Sequence, residues 1–485
     1  MDNRFTASLL NSLLTLLLFS FMTVAGCTSN AHKADDTSVT QATVAIDPTV
    51  RYQVIEGWGE GGMDTFTPAW YVLFRPAVHE TILDSLYTLE DNGLGLNICR
   101  FLMPMGDNPK HDHMKYMIPL ANQPFEPEDG VFTWDGHEDI LWRAKGAQQR
   151  GATMWASFYS PPYWLTVSEC TGGSKDGKTN NLIAGKEERF AKHVCDVIQH
   201  FQDAWGINFE YVSPINEPEA DWWKFEGGSP GCHVSDDQAV VIIRELSEQL
   251  KQHGLDSKIQ AYDAAYGNSY WYMENLLKSE IEPLIDVMSV HQYITSDEPL
   301  MKWRELATQY NKSLWSTEWG DWANAGYPDN KPYEQAMKYA NKIHEGLKVL
   351  KANAWVIWEP GFIYDANMFY LTPRKAYWAV AHYSRHIRPG FVQVACEDSL
   401  DGLKSTAWIG PANETLVIVS VNDSERDQTI HYDFSKFDSI NIQEIRLTSE
   451  SQDYELLEFD QSIQSKPTMK MPSGSILTIT ASLTD

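Results

Sequence analysis

Two glutamates, Glu217 and Glu318, each follow an apolar run and stand among tryptophans. The first lies in Phe209–Trp223, FEYVSPINEPEADWW. Its apolar residues Phe209, Tyr211, Val212 and Ile215 have strand composition, and the run stops at Asn216-Glu217-Pro218. Pro218 lacks an amide hydrogen and biases Glu217 away from helical geometry, which puts the carboxyl just past a strand end. The second follows Ser313–Thr317 and precedes Trp319-Gly320. A neutral carboxylic acid can protonate a poor leaving oxygen while an ionised partner attacks the carbon it leaves. Two strand-end glutamates therefore suit cleavage of a glycosidic bond. The competing reading, a pair of solvated loop acids, fits the flanking aromatic residues poorly.

The elements that must present them can be read from periodicity. Short apolar strands are expected at Val54–Trp58, Asn97–Phe101, Thr153–Ser157, Tyr211–Ile215, Lys258–Tyr262, Val287–His291, Ser313–Thr317 and Ala354–Trp358. Between them Phe190, Val194, Val197, Ile198 and Phe201 recur at helical spacing. So do Ala239, Ile242, Ile243, Leu246 and Leu250, and again Ala336, Ala340, Ile343, Leu347 and Leu350. Eight strands alternating with helices predict an α/β fold, a (β/α)8 TIM barrel over 45–388. Beyond Pro389 the texture becomes short, β-rich and turn-punctuated, which predicts an antiparallel β-sandwich domain over 389–485. Residues 45–52 are also β-like and are expected to pair with that domain.

Function collects at the carboxyl ends of barrel strands. Those positions hold Trp58 and Glu60, Arg100, Tyr159, Asn216 and Glu217, Tyr262 and Asp263, His291 and Tyr293, Glu318, and Trp358 and Glu359. Glu217 is expected to be the acid/base, kept neutral by repulsion from an ionised Glu318. Glu318 is then the nucleophile, held ionised by Arg100 with Tyr293 or His291. Asn216 suits a hydrogen bond to the sugar hydroxyl beside the reacting carbon. Trp58, Tyr159, Trp164, Trp222, Trp223 and Trp358 offer flat faces for sugar rings. For Arg100 and His291 the alternatives are a structural ion pair and a satisfied core histidine.

The chain of 485 residues carries a net charge of −28, which excludes a phosphate-backbone partner and fits a neutral substrate. Arg4 precedes the apolar run Leu9–Val24, which ends Val24-Ala25-Gly26-Cys27, so 1–26 is expected to be a signal peptide. The last four residues look like a lipobox, with Cys27 as the acylated first residue of the mature chain. Thr28 beside it resembles export to a bacterial outer membrane, and 27–44 is expected to be a flexible tether. The remaining cysteines match no metal-ligand spacing, and neither metal nor organic cofactor is expected. Cys170 and Cys232 fall in long loops in an oxidising compartment, where a disulfide between them is expected.

The runs GWGEGG (57–62), GLNICRF (95–101), SFYSPPYWLTVSECTGG (157–173), SPINEPEADWW, LWSTEWGD and YSRHIRPG (383–390) together resemble glycoside hydrolase family 30. The SPPYW run and paired tryptophans are most similar to its endo-β-1,6-galactanase branch. The resemblance implies a retaining barrel fused to a β-sandwich, with Glu217 as acid/base and Glu318 as nucleophile. It also implies a polysaccharide or oligosaccharide substrate, and the protein is expected to be a monomer. Departures at Glu60, at Glu359 and between Gly228 and Cys232 are expected on the cleft rim. β-1,6-Glucanase, xylanase and exo-β-glycosidase activities stand as alternatives, as does a glycan-binding lipoprotein that has lost catalysis. Cys27→Ala is expected to move the protein from the membrane fraction to the soluble one, because the tether has no other apolar anchor. Unchanged fractionation would exclude the lipobox.

Overall fold

The computed structural model describes residues 40–62, 76–114, 124–293, 295–321, 332–366, 371–459 and 467–483. The expected signal peptide and Cys27 lie outside them. Strand β1 (Thr40–Val54) is followed by eight strands that close a barrel. These are β2 (Gly57–Gly61), β3 (Ile98–Leu102), β4 (Thr153–Ser157), β5 (Tyr211–Ser213), β6 (Lys258–Ala264), β7 (Val287–His291), β8 (Ser313–Trp319) and β9 (Ala354–Trp358). Every neighbouring pair is parallel, and β9 returns to β2.

The periodic segments form helices around this barrel. Phe190 to Phe201 lie buried on the helix Glu187–Trp205, and Ala239 to Leu250 on the helix Asp236–His253. The second begins where the Ser235 side chain accepts a hydrogen bond from the Gln238 amide, and ends at a left-handed Gly254. Ala336, Ala340 and Ile343 face inward on Pro332–Glu345.

Alternation decides what each barrel strand shows to the interior. Gly59 pairs with Ile98 and Gly61 with Arg100, so the glycines of β2 face inward. A Cβ on Gly61 would come within 3.0 Å of the Arg100 side chain, and one on Gly59 within 2.9 Å of Ile98. The interior leaves no room there. Trp58 and Glu60, on the opposite face, point at the helices. Strand β2 starts three residues later than expected, because Val54 belongs to β1.

Trp58 is therefore not a cleft residue: it is fully buried, and its indole N–H donates to the Ile387 carbonyl at 2.6 Å. Glu60 is not on the rim either. It is buried and accepts from Tyr87 and from the Arg143 guanidinium at 2.8 and 3.0 Å. Arg143 also donates to the backbone carbonyl of Arg100 at 3.1 Å.

Two barrel strands contain one residue more than their neighbour. In β6 the register jumps between Ala261 and Asp263, with Tyr262 as the extra residue at φ 50°. In β8, Ser316 faces Val290 but Glu318 faces His291, so Thr317 is extra. Each bulge reverses the alternation beyond it. Asp263 and Glu318 are thereby turned into the barrel mouth.

After a short hairpin, β10 (Tyr364–Ala366) with β11 (Leu371–Pro373), comes the helix Lys375–Ser384 and then the second sheet. Its strands are β12 (Val392–Asp398), β13 (Leu403–Ile409), β14 (Thr415–Asn422), β15 (Gln428–Asp433), β16 (Asn441–Thr448), β17 (Glu455–Leu456), β18 (Thr468–Met471) and β19 (Ser475–Ser482). With β1 they form one nine-stranded sheet, antiparallel except where β1 runs alongside β15. Leu416 and Ile418 pack with Val44, Ile46, Ile430 and Ile479 into the sheet's own core. Val417, Val419 and Val421, on the other face, join the barrel's hydrophobic core.

Residues 40–44, read as the end of a flexible tether, are instead the start of β1. Ala42 and Val44 are buried, and their backbones pair with β15.

Arg143→Met would strip the partner from a buried carboxylate. It is expected to cost about 3–5 kcal/mol, read as a fall in urea midpoint. Adding Glu60→Gln should recover much of that loss.

Candidate active site

Arg100 rises from β3 into the barrel mouth and is completely buried. Its guanidinium donates to Glu318 Oε2, to Asn216 Oδ1 at 2.6 Å and to Asp263 Oδ2 at 3.3 Å. The Trp155 ring lies beneath it, 4.9 Å from the guanidinium carbon, an arrangement favoured by the ring quadrupole. The other oxygen of Glu318 accepts from the Tyr293 hydroxyl at 3.0 Å. Both oxygens of Glu318 are thereby held by donors.

Glu217 stands opposite in different surroundings. Its Oε1 lies 2.9 Å from His291 Nδ1, and its Oε2 accepts from the Trp222 indole N–H at 3.2 Å. Burial pushes its carboxyl up to about 8, against the opposing pull of Arg100 and the Trp222 N–H. The expected cause was repulsion from Glu318; desolvation does it instead. The backbone at Glu217 adopts φ 50°, a left-handed conformation that costs a glutamate about 1–3 kcal/mol. It is held there by the amide N–H of Glu217 donating to the Asp263 carbonyl at 2.8 Å.

His291 bridges the two acids, with Nε2 3.5 Å from Glu318 Oε2. Burial lowers its pKa, which keeps the imidazole neutral. One oxygen of Glu217, one nitrogen of His291 and one oxygen of Glu318 all lie within 4.8 Å of one another. The structure thus brings together Glu217, Glu318, Arg100, Asn216, His291, Tyr293 and Trp222.

Trp223 supports this group from behind. Its indole N–H donates to the Glu217 carbonyl at 2.9 Å, and its ring packs where a Cβ on Gly231 would intrude. Tyr159 and Trp358 lie at the barrel mouth with Leu102 and Met105, at 5.8 and 5.6 Å from the Arg100 guanidinium carbon. Trp164 is engaged elsewhere: its N–H donates to the Glu126 carbonyl at 3.0 Å, with Arg189 stacked over its ring. It joins the barrel core rather than the carboxyl group cluster.

The expected disulfide is not formed. Cys170 and Cys232 are both free and buried. The sulfur of Cys170 turns toward Asp107 and His113, whereas that of Cys232 packs into the barrel core and faces the His233 carbonyl.

Sequence reasoning gave Asp263 no role, although it shares Arg100 with Glu318. Its position at a strand end was the available signal. Trp155 lies within an ordinary apolar strand and carries no such signal.

The sequence model of O-glycosyl hydrolase family 30 matches residues 41–280. An endo-beta-1,6-galactanase of Hypocrea rufa is 26% identical over 430 residues, covering 81% of this chain and 84% of its own. A conserved exported protein from Bacteroides fragilis superimposes with a TM-score of 0.76 at 18% identity, over 90% of this chain and all of that one. The catalytic domain of a family 30 xylanase from Talaromyces cellulolyticus gives 0.69 at 19%, over 90% and 99%. The family model and the hydrolase relative, on a (β/α)8 barrel with a companion β domain, make this protein an O-glycosyl hydrolase. Within that class it belongs to glycoside hydrolase family 30.

The Glu217 environment predicts the alkaline limb of the pH profile. The acid is protonated below about 8, so kcat/KM should fall as pH rises through that value. Trp222→Phe removes a donor that favours the carboxylate, and should move the limb to higher pH. A limb that stays or moves down would deny Glu217 the role of acid.

Proposed function

We propose that this protein is a retaining, endo-acting β-glycosidase that cleaves β-1,6-galactan side chains of arabinogalactan by double displacement. The observation that carries the mechanism is the close approach of the Glu217 and Glu318 carboxyl groups, with oxygens within 4.8 Å. A retaining pair stands about 5–5.5 Å apart, an inverting pair about 6.5–9.5 Å apart with a water between. Glu318 attacks the anomeric carbon, the glycosidic bond breaks, and the Glu217 proton passes to the leaving oxygen. Glu217, now ionised, takes a proton from water, whose oxygen attacks the same carbon and releases Glu318.

The galactan assignment rests on the Hypocrea rufa relative and on the paired tryptophans. Trp222, which reaches Glu217, and Trp223 directly behind it shape one wall of the cleft. The chain is further proposed to act as a monomer, lipid-anchored through Cys27 at a bacterial outer membrane or cell surface. Both acids and Arg100 are in place, which disfavours a purely glycan-binding role.

The test is digestion of β-1,6-galactan, β-1,6-glucan, xylan and arabinogalactan, with product length and anomeric configuration read out. A ladder of β-configured galacto-oligosaccharides is expected. Inverted products exclude double displacement; monosaccharide alone, or activity on β-1,6-glucan or xylan in place of the galactans, excludes the endo-galactanase assignment. Glu318→Ala should be inactive throughout. Glu217→Ala should retain turnover of an activated aryl glycoside when azide is supplied, and give the β-glycosyl azide.

A further inference from the structure

A second cluster of chemically active side chains lies away from the two glutamates, on loops that follow β3 and β4. Asp107, His111 and His113 come from the first loop and Cys170 from the second. One carboxylate oxygen, two imidazole nitrogens and the sulfur all lie within 4.8 Å of one another. The His111 Nδ1 is 3.0 Å from Asp107 Oδ2, and the Cys170 sulfur is 3.7 Å from that oxygen and 3.6 Å from His113 Nε2. Donors bound tetrahedrally at zinc distances stand about 3.3–3.7 Å from each other. The separations of 3.0, 3.7 and 3.6 Å are close to that spacing.

The surroundings hold the donors in this arrangement. The other oxygen of Asp107 accepts from the Thr171 amide at 2.9 Å and lies 3.3 Å from the Thr171 hydroxyl, which leaves Oδ2 facing the cluster. The Gly172 amide points at the Cys170 sulfur at 3.3 Å, a contact suited to thiolate. Outer-shell bonds of this kind fix ligand orientation in metal centres. Both imidazoles pack on Phe225, with ring centroids at 5.1 and 5.0 Å, and Met114 closes the apolar side with Cys170.

We propose that Asp107, His111, His113 and Cys170 form a four-coordinate structural site for a zinc-class divalent cation. One thiolate, two imidazoles and one carboxylate are a borderline donor set that suits zinc better than calcium or magnesium, which take oxygen. All four positions are filled by protein, so the ion is structural rather than catalytic. It clips the β3 and β4 loops together beside Phe225. The same β4 loop accepts from the Gly231 amide at the Thr171 carbonyl, and Gly231 lies against the Trp223 ring. The ion thereby braces the wall that carries Trp222 and Trp223. Cysteine spacing gave no hint of it, because Cys170 and His113 are 57 positions apart and come together only through the barrel.

The test uses the full chain, stripped with chelator and titrated with cobalt(II). One equivalent should bind and give the intense visible bands of tetrahedral cobalt plus a near-ultraviolet thiolate-to-metal band, and one equivalent of zinc should bleach both. Cys170→Ser should abolish the charge-transfer band. His111→Ala with His113→Ala should reduce bound zinc from one equivalent to below a tenth. Glu318→Gln, which alters the other carboxylate and histidine group, should leave the stoichiometry unchanged. The proposal is overturned if folded wild-type protein binds less than a tenth of an equivalent. It is equally overturned if the thiolate band persists in Cys170→Ser, or if Glu318→Gln removes the metal. The wild-type titration decides even where a variant fails to fold.

Discussion

A single buried cation organises the mouth of the barrel. Taking a guanidinium out of water costs several kcal/mol unless its donors are matched, and Arg100 meets Glu318, Asp263 and Asn216 at once. Without it, the buried carboxylates of Glu318 and Asp263 would lose the cation they share. Much of the surrounding sequence answers to this side chain. Gly61 of β2 leaves space for its stem, Trp155 underlies its charge, and Arg143 holds its backbone carbonyl from outside. Gly61 of the GWGEGG run is thus a packing requirement of Arg100.

The two carboxyl groups proposed for catalysis are separated in character by different physical means. Glu318 is surrounded by donors, from Arg100 and Tyr293. Glu217 has fewer, and its charge is opposed by burial. The neutral imidazole of His291 lies between them and adds no charge to either. This division suits the proton-donor role proposed for Glu217 and the nucleophile role proposed for Glu318. The left-handed backbone at Glu217 is the conformational cost of aiming that carboxyl.

Much of this was legible from the residues. Seven of the eight barrel strands were visible as apolar runs, because a parallel sheet buried on both faces tolerates little else. The paired glutamates, Arg100, Asn216 and His291 could be found simply by reading strand ends. What escaped was anything that depends on register. Placing the first strand three residues early turned Trp58 and Glu60 toward the cleft, when alternation turns them toward the helices. The bulges at Tyr262 and Thr317 have no compositional mark, so the shared use of Arg100 by Asp263 and Glu318 could not be derived. Loop geometry was equally hidden: Cys170 and Cys232 look like partners by context, yet each sulfur is committed elsewhere. The β domain was recognisable as β by texture, but its single curled sheet was not, because pairing order is set by contacts distant in sequence.

Strand β1 lies between β12 and β15 in that sheet, with Val44 opposite Asp398 on one side and Tyr432 on the other. Both partners are synthesised after the whole barrel, so this β-prone segment stays without its neighbours until translation is nearly complete. The loop-closure entropy of so long an intervening chain grows only logarithmically, but pairing across it is slow. The barrel, whose strands pair with their successors, can form first and present the two ends of the chain for joining. The consequence is a clasp: losing the fifteen residues of β1 would shed an N-terminal strand and also open two raw sheet edges in the interior of the second domain, each a template for aggregation.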